Sequence, residues 1–169
     1  MCKAIGTVKS KVGIFFIWGL LLLFFSNCGT KPPSKSSTEK TADFSRLEED
    51  ILTKINRHRS SKGLSPLKMN SDITAEAEEH SQQMASGKTS FGHSGFDARI
   101  KRISNVLGPA RKSAENVALG SNSADEVVGG WLNSPGHKQN IEGDFTLTGI
   151  GVARNSKGVL YYTQLFIKL

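Results

Sequence analysis

The chain predicts an α+β fold: an α/β/α three-layer sandwich on an antiparallel sheet. Three observations predict it. From Phe44 to Leu132, apolar residues recur at three and four positions, the period of helices with one buried face. The period then shortens in two β-rich runs, Phe145 to Ala153 and Val159 to Leu169, joined by the hairpin signal Asn155-Ser156-Lys157-Gly158. The last run is apolar on both faces, with Val159, Tyr161, Leu165 and Ile167 on one and Leu160, Tyr162 and Phe166 on the other. Such a strand needs cover on both sides, and the helices supply it.

Residues 1–27 have the form of a signal peptide. Lys3, Lys9 and Lys11 precede a run from Val12 to Phe25 that is wholly apolar or glycine, too short for a bilayer span of about 20 residues. Cys28, followed by Gly29, resembles the acylation site of a bacterial lipoprotein, although Phe25-Ser26-Asn27 departs from the small residues usual before such a cysteine. Residues 28–43 are expected to be the lipidated cysteine and a disordered tether rich in Pro, Ser, Thr and Lys. The expected address is extracytoplasmic, across the inner membrane and lipid-anchored to the cell envelope. The folded part, residues 44–169, then holds no cysteine and must rely on its core. Of 22 basic side chains three leave with the signal, so 19 face 15 acidic ones, a mild excess without a basic block interleaved with aromatics. That argues against nucleic acid as a partner, and a monomeric domain is expected.

In the first helix Phe44, Leu47, Ile51, Ile55 and His58 share a face, Ser45 and Glu48 offer a capping box, and Gly63 is the stop. Ser71 or Asp72 opens a second helix with Ile73, Ala77, His80 and Met84 on one side, ended by Gly87. A third covers Phe96 to Asn105, with Ile100 and Ile103 inward. Ser123 and Glu126 form the capping box of a fourth, whose apolar face is Val127, Val128, Trp131 and Leu132. Gly129-Gly130 weakens it by about 1 kcal/mol each and marks either close packing or a flexible spot. Pro135-Gly136 ends this helix and puts His137 on a loop. In the first β run the apolar parity flips between Phe145, Leu147 and Ile150, Val152, which calls for a bulge near Thr148-Gly149.

Of the four histidines, His58 and His80 lie on or beside inward helix faces and read as hydrogen-bonded residues at the core margin. His93 and His137 stand in glycine-containing, non-periodic stretches, "FGHSGF" and "SPGHKQNI", with Glu115 between them in "SAENVALG". Two histidines and a glutamate are the minimal ligand set for a catalytic zinc with an open position; they are equally an acid/base pair, or a buried network that fixes loops. His-Glu-x-x-His, a Gly-x-Ser-x-Gly elbow and a phosphate-cradling loop are all absent from the sequence.

The blocks "FGHSGFDARI", "AENVALG", "VVGGWLNSPGHKQNI" and "TGIGVARNSKGVLYYTQLF" resemble those of the CAP superfamily, which includes cysteine-rich secretory proteins, venom antigen 5 and plant pathogenesis-related proteins. They are most similar to its bacterial branch, and the resemblance spans about Phe44 to Leu169. It implies an α/β/α sandwich with a cleft. In eukaryotic members two histidines and two acidic residues there can bind a divalent metal. Carried over, the first histidine and the first glutamate fall on His93 and Glu115. The second glutamate falls on Ser134 and the second histidine on Tyr161, so half the set is replaced, and His137 is the histidine of the bacterial branch. The resemblance therefore implies a cleft lined by His93, Glu115, His137, Ser134, Asn140 and Tyr161, with zinc through His93, Glu115 and His137 as the cofactor to test. It also implies a non-enzymatic domain that binds a small or lipidic ligand or a protein partner. The competing reading is a metal-dependent hydrolase using the same three residues.

Overall fold

A computed structural model describes residues 37–169, with side chains from Asp43 onward; the expected signal peptide, Cys28 and most of the tether lie outside the described residues. The helices are α1 (Ser37–Ser61), α2 (Ser71–Ala85), α3 (Phe96–Leu107), α4 (Ala124–Asn133) and α5 (Pro135–Ile141). The strands are β1 (Lys68–Met69), β2 (Lys112–Leu119), β3 (Leu147–Arg154) and β4 (Leu160–Lys168). They form one sheet in the order β1-β3-β4-β2.

Two cores sandwich that sheet. Ile51 and Ile55 of α1, Val127 and Trp131 of α4 and Ile141 of α5 pack on Ile150, Val152, Tyr162 and Phe166. Ile73 and Ala77 of α2 and Ile103 of α3 pack on Leu165 and Ile167. The alternation read in the last strand thus separates the two cores. The sheet is mixed rather than antiparallel throughout, because the two-residue β1 pairs parallel with Leu147 and Thr148 of β3. A pair of residues carries no periodicity, so β1 left no mark in the sequence.

Several local expectations are corrected. Helix α1 starts inside the segment read as a disordered tether and runs through Ser45, so Ser45 and Glu48 are not its cap. Glu39, Lys40 and Ala42 are good helix formers, and extending an existing helix avoids the cost of nucleation. Buried Glu48 instead accepts a hydrogen bond from Val152 N at 3.0 Å, on the edge of β3 beyond the reach of β1. Asn70 caps α2, its Oδ1 accepting from the amides of Asp72 and Ile73. Ser123 does cap α4, accepting from Glu126 N.

No bulge interrupts β3, which pairs with β4 in constant register from Leu147↔Ile167 to Arg154↔Leu160. The parity flip has another cause. Phe145 lies before the strand, and the positions after Leu147 on its face are Gly149 and Gly151. A Cβ on Gly149 would lie 2.3 Å from the backbone of Ile73 and Thr74, and one on Gly151 would lie 2.1 Å from Glu78 N. The backbone of α2 fills the space where side chains would stand.

His137 is helical, not on a loop. Pro135 is the first residue of α5, where its missing N–H is no loss, so it ends one helix and starts the next. Buried Arg59 at the end of α1 holds the segment after α5 by donating to Ile141 O, Gly143 O and Phe145 O at 2.7, 2.9 and 3.3 Å.

Candidate functional site

Strand β2, which the sequence reading left unassigned, carries the site. It is an edge strand, and alternation turns Glu115 and Asn116 to opposite faces: Glu115 stands opposite Leu165 of one core, Asn116 beside Ala114 and Ala118 of the other. The free edge is capped by side chains. Trp131 Nε1 donates to Val117 O and Asn140 Nδ2 to Glu115 O, both at 3.3 Å. These bonds satisfy carbonyls that a bare edge would offer to another chain.

On the α2/α3 side, Glu115 is 2 % exposed and both its oxygens are engaged. Oε2 accepts from Arg99 Nε at 3.0 Å and Nη2 at 2.6 Å, a buried ion pair, and Arg99 Nη1 reaches Ser94 O at 2.8 Å. Oε1 meets His93 Nδ1 at 2.9 Å. Because the carboxylate paired with Arg99 only accepts, Nδ1 must carry the proton, which leaves Nε2 of a 55 %-exposed ring as the group presented to solvent. Buried His80 of α2 donates from Nε2 to Gly92 O at 2.8 Å, and its Nδ1 has no hydrogen-bond partner among the described residues. Burial first, and then the charge of Arg99, lower the His80 pKa, against the opposing pull of the Gly92 carbonyl.

On the other side, α5 is bolted to the same strand position. Asn116 Nδ2 donates to His137 O at 3.1 Å, and Asn140 Nδ2 to Asn116 Oδ1 at 2.9 Å. His137, half-buried, has its pKa lowered by burial and then by the charge of His93. Ser134 joins α4 to α5, its carbonyl accepting from Lys138 N at 2.9 Å. Tyr161 lies opposite Leu119, four residues along β4 from the partner of Glu115, a displacement of about 13 Å. The fold thus gathers His93, Glu115, Asn140 and the backbone of His137 around one point of β2, while Tyr161 stands apart.

The donor set does not fit the expected zinc. Both oxygens of Glu115 are taken, and among the described residues no three His, Cys, Asp or Glu side chains are placed to hold one metal ion. Arg99 is what the sequence reading missed. A signal existed, since Phe96, Arg99 and Ile103 at i, i+3 and i+7 share the inward face of α3. A groove of about 640 Å³ lies elsewhere, between α1 and the start of α4; acidic and basic side chains mix along it, with Lys54 paired to Asp125, and it shares no residue with the cluster.

Residues 52–166 match the model of the cysteine-rich secretory protein family, CAP. The chain belongs to that family. It is 31% identical over 146 residues to the uncharacterized protein YkwD of Bacillus subtilis, covering 82% of this chain and 53% of that one. It is 30% identical over 141 residues to the uncharacterized membrane protein YlbC of the same organism, covering 82% and 39%. The chain therefore spans about half the length or less of these curated relatives. Among solved structures, an extracellular protein containing a SCP domain from Bacillus anthracis superposes with a TM-score of 0.64 at 26% identity, covering 80% of this chain and 45% of that one. An outer surface protein from Borrelia burgdorferi superposes with a TM-score of 0.63 at 24% identity, covering 72% and 94%; this second likeness speaks to the fold alone. The α/β/α sandwich expected of a CAP domain is the fold observed.

Proposed function

We propose that this CAP domain is a non-enzymatic, extracytoplasmic binding module, held to the cell envelope by a lipid on Cys28 and taking a small ligand or a partner in the cleft between His93 and His137. The observation that carries this reading is the saturation of Glu115. A carboxylate locked by Arg99 on one oxygen and His93 on the other is a poor general base and a poor metal ligand, yet it orients a half-exposed imidazole outward. The similarity to the extracellular protein from Bacillus anthracis supports the address. Nothing in the donor set favours the hydrolase reading.

The test follows the imidazole resonances of His93 and His137 by ¹⁵N NMR during titration with four probes: sulfate, acetate, the monoacylglycerol monocaprin and a terminally blocked trialanine. A saturable shift of both rings with at least one probe, lost in His93→Gln, is expected. Zinc-dependent hydrolysis of a p-nitrophenyl ester that His137→Ala abolishes without unfolding the chain would overturn the non-enzymatic reading.

A further inference from the structure

We infer that the loop carrying His93, residues 86–95, is a latch that acid opens, and that His80 is the group that releases it. No residue of this loop is buried: Ser86 to Gly95 are all exposed or half-buried, and Phe91 is 49 % exposed. Apolar burial therefore contributes little to holding the loop, and polar bonds from three successive residues to three different elements do so instead. Gly92 O accepts from His80 Nε2 of α2 at 2.8 Å, His93 Nδ1 donates to Glu115 of β2 at 2.9 Å, and Ser94 O accepts from Arg99 of α3 at 2.8 Å. Gly87 and Gly95 flank these fastenings with φ of 75° and 77°, a region that glycine enters freely, so each end of the loop has a hinge. Segments with so few buried contacts are the ones that open locally.

Of the three fastenings, only the one at Gly92 turns against the loop on protonation. Arg99 is charged throughout, and His93 keeps a proton on Nδ1 in both forms of its ring, so both can go on donating in mild acid. His80 is 1 % exposed; its Nε2 proton is committed to Gly92 O, and its Nδ1 is buried with no hydrogen-bond partner among the described residues. A proton taken up there makes a buried cation with an unpaired N–H. The neighbours do not offset that cost. Burial lowers the His80 pKa against the pull of the Gly92 carbonyl; Arg99 lowers it further, Glu115 opposes but is already paired with Arg99, and His93 adds to the lowering. On α2 itself Glu76 is held by Arg102 and Glu79 by Gln83, while Glu78 acts on Glu48. On the strands beneath α2, Arg154 lies over Phe44, Lys168 pairs with Asp144, Tyr162 bonds to Ser121 O, and Tyr161 is an uncharged phenol. The open loop gives the ring to water, so the open form binds the proton more tightly and acid favours it. Opening draws His93 away from Glu115. The cleft face is thus assembled at neutral pH and taken apart in acid, whatever it binds.

Amide hydrogen exchange in the folded chain, normalised to the intrinsic rate at each pH, reads the loop at about pH 7 and about pH 5. Protection of residues 87–95 is expected to fall about tenfold on acidification, the order set by one proton bound on opening, while the amides of β3 and β4 keep theirs. His80→Gln puts an amide N–H that does not titrate near the position of Nε2, and its loop is expected to stay protected at both pH values; circular dichroism checks its fold. In the unsubstituted chain, ¹⁵N NMR of His80 is expected to show the Nε2–H tautomer at neutral pH and a titration below 6.5 that coincides with loop opening. Loop protection unchanged by pH, an acid loss that persists in folded His80→Gln, or a loss shared by β3 and β4 overturns the latch. So does a His80 titration at or above 6.5. If His80→Gln does not fold, coincident midpoints for the His80 titration and the loop opening support the latch, and separate midpoints overturn it. No cleft ligand enters these measurements, so their outcome is distinct from that of the ligand titrations.

Discussion

Arg99 decides what Glu115 can do. Without it, a buried carboxylate between apolar strands would have to take up a proton or a metal; with it, the carboxylate is a fixed acceptor that sets the tautomer of His93. Removing one partner of a buried pair strands the other. Arg99→Met is expected to destabilise the fold by about 3 to 5 kcal/mol in urea unfolding. Adding Glu115→Gln should recover part of that loss, and a double-mutant cycle reads the coupling. Strictly additive effects would mean that Arg99 acts by packing alone.

At the scale of elements, the contact between β3 and α2 rests on the absence of side chains. Gly151→Ala puts a methyl 2.1 Å from Glu78 N, and the helix must lift. A cost of about 3 kcal/mol is expected, measured as a fall in thermal midpoint. The pair in α4 behaves oppositely: a Cβ on Gly130 meets nothing within 4 Å, so Gly130→Ala should stabilise the fold by about 1 kcal/mol. Both pairs were visible in the sequence, but their meaning was not. A Gly-x-Gly in a strand reads as a bulge when the helix lying on it is unknown. Likewise, Pro135-Gly136 was legible as a break, whereas the new helix starting on it depends on α5 docking against β2.

For the whole molecule, opposed titrations shape stability. Burial, reinforced by Glu78 and Glu49 against the Val152 N–H, raises the Glu48 pKa from 4.5 to about 8. The folded state holds this proton more tightly, so stability is full below about pH 4.5 and falls as pH rises towards about 8. His80 and His137 are shifted down, so their contribution is present above the ordinary histidine range and is lost as pH falls through their folded values. A domed profile is expected from urea unfolding across pH. Glu48→Gln should flatten its alkaline limb and leave the acid limb in place; an unchanged alkaline limb would show that Glu48 is not the group responsible.

By itself the sequence determined the bodies of helices α1 to α4, the β3–β4 hairpin, the two-sided burial of its last strand and the family, because amphipathic period and turn chemistry are local and the motif residues are contiguous. His93, Glu115 and His137 were legible as candidates for the same reason. Only the tertiary structure decided that the sheet is mixed, that β2 is its capped edge and that Arg99 occupies the carboxylate. Those facts depend on which distant residues meet: the partners of Glu115 lie 16 and 22 positions away, and no local pattern records whether a buried charge has found its counter-ion.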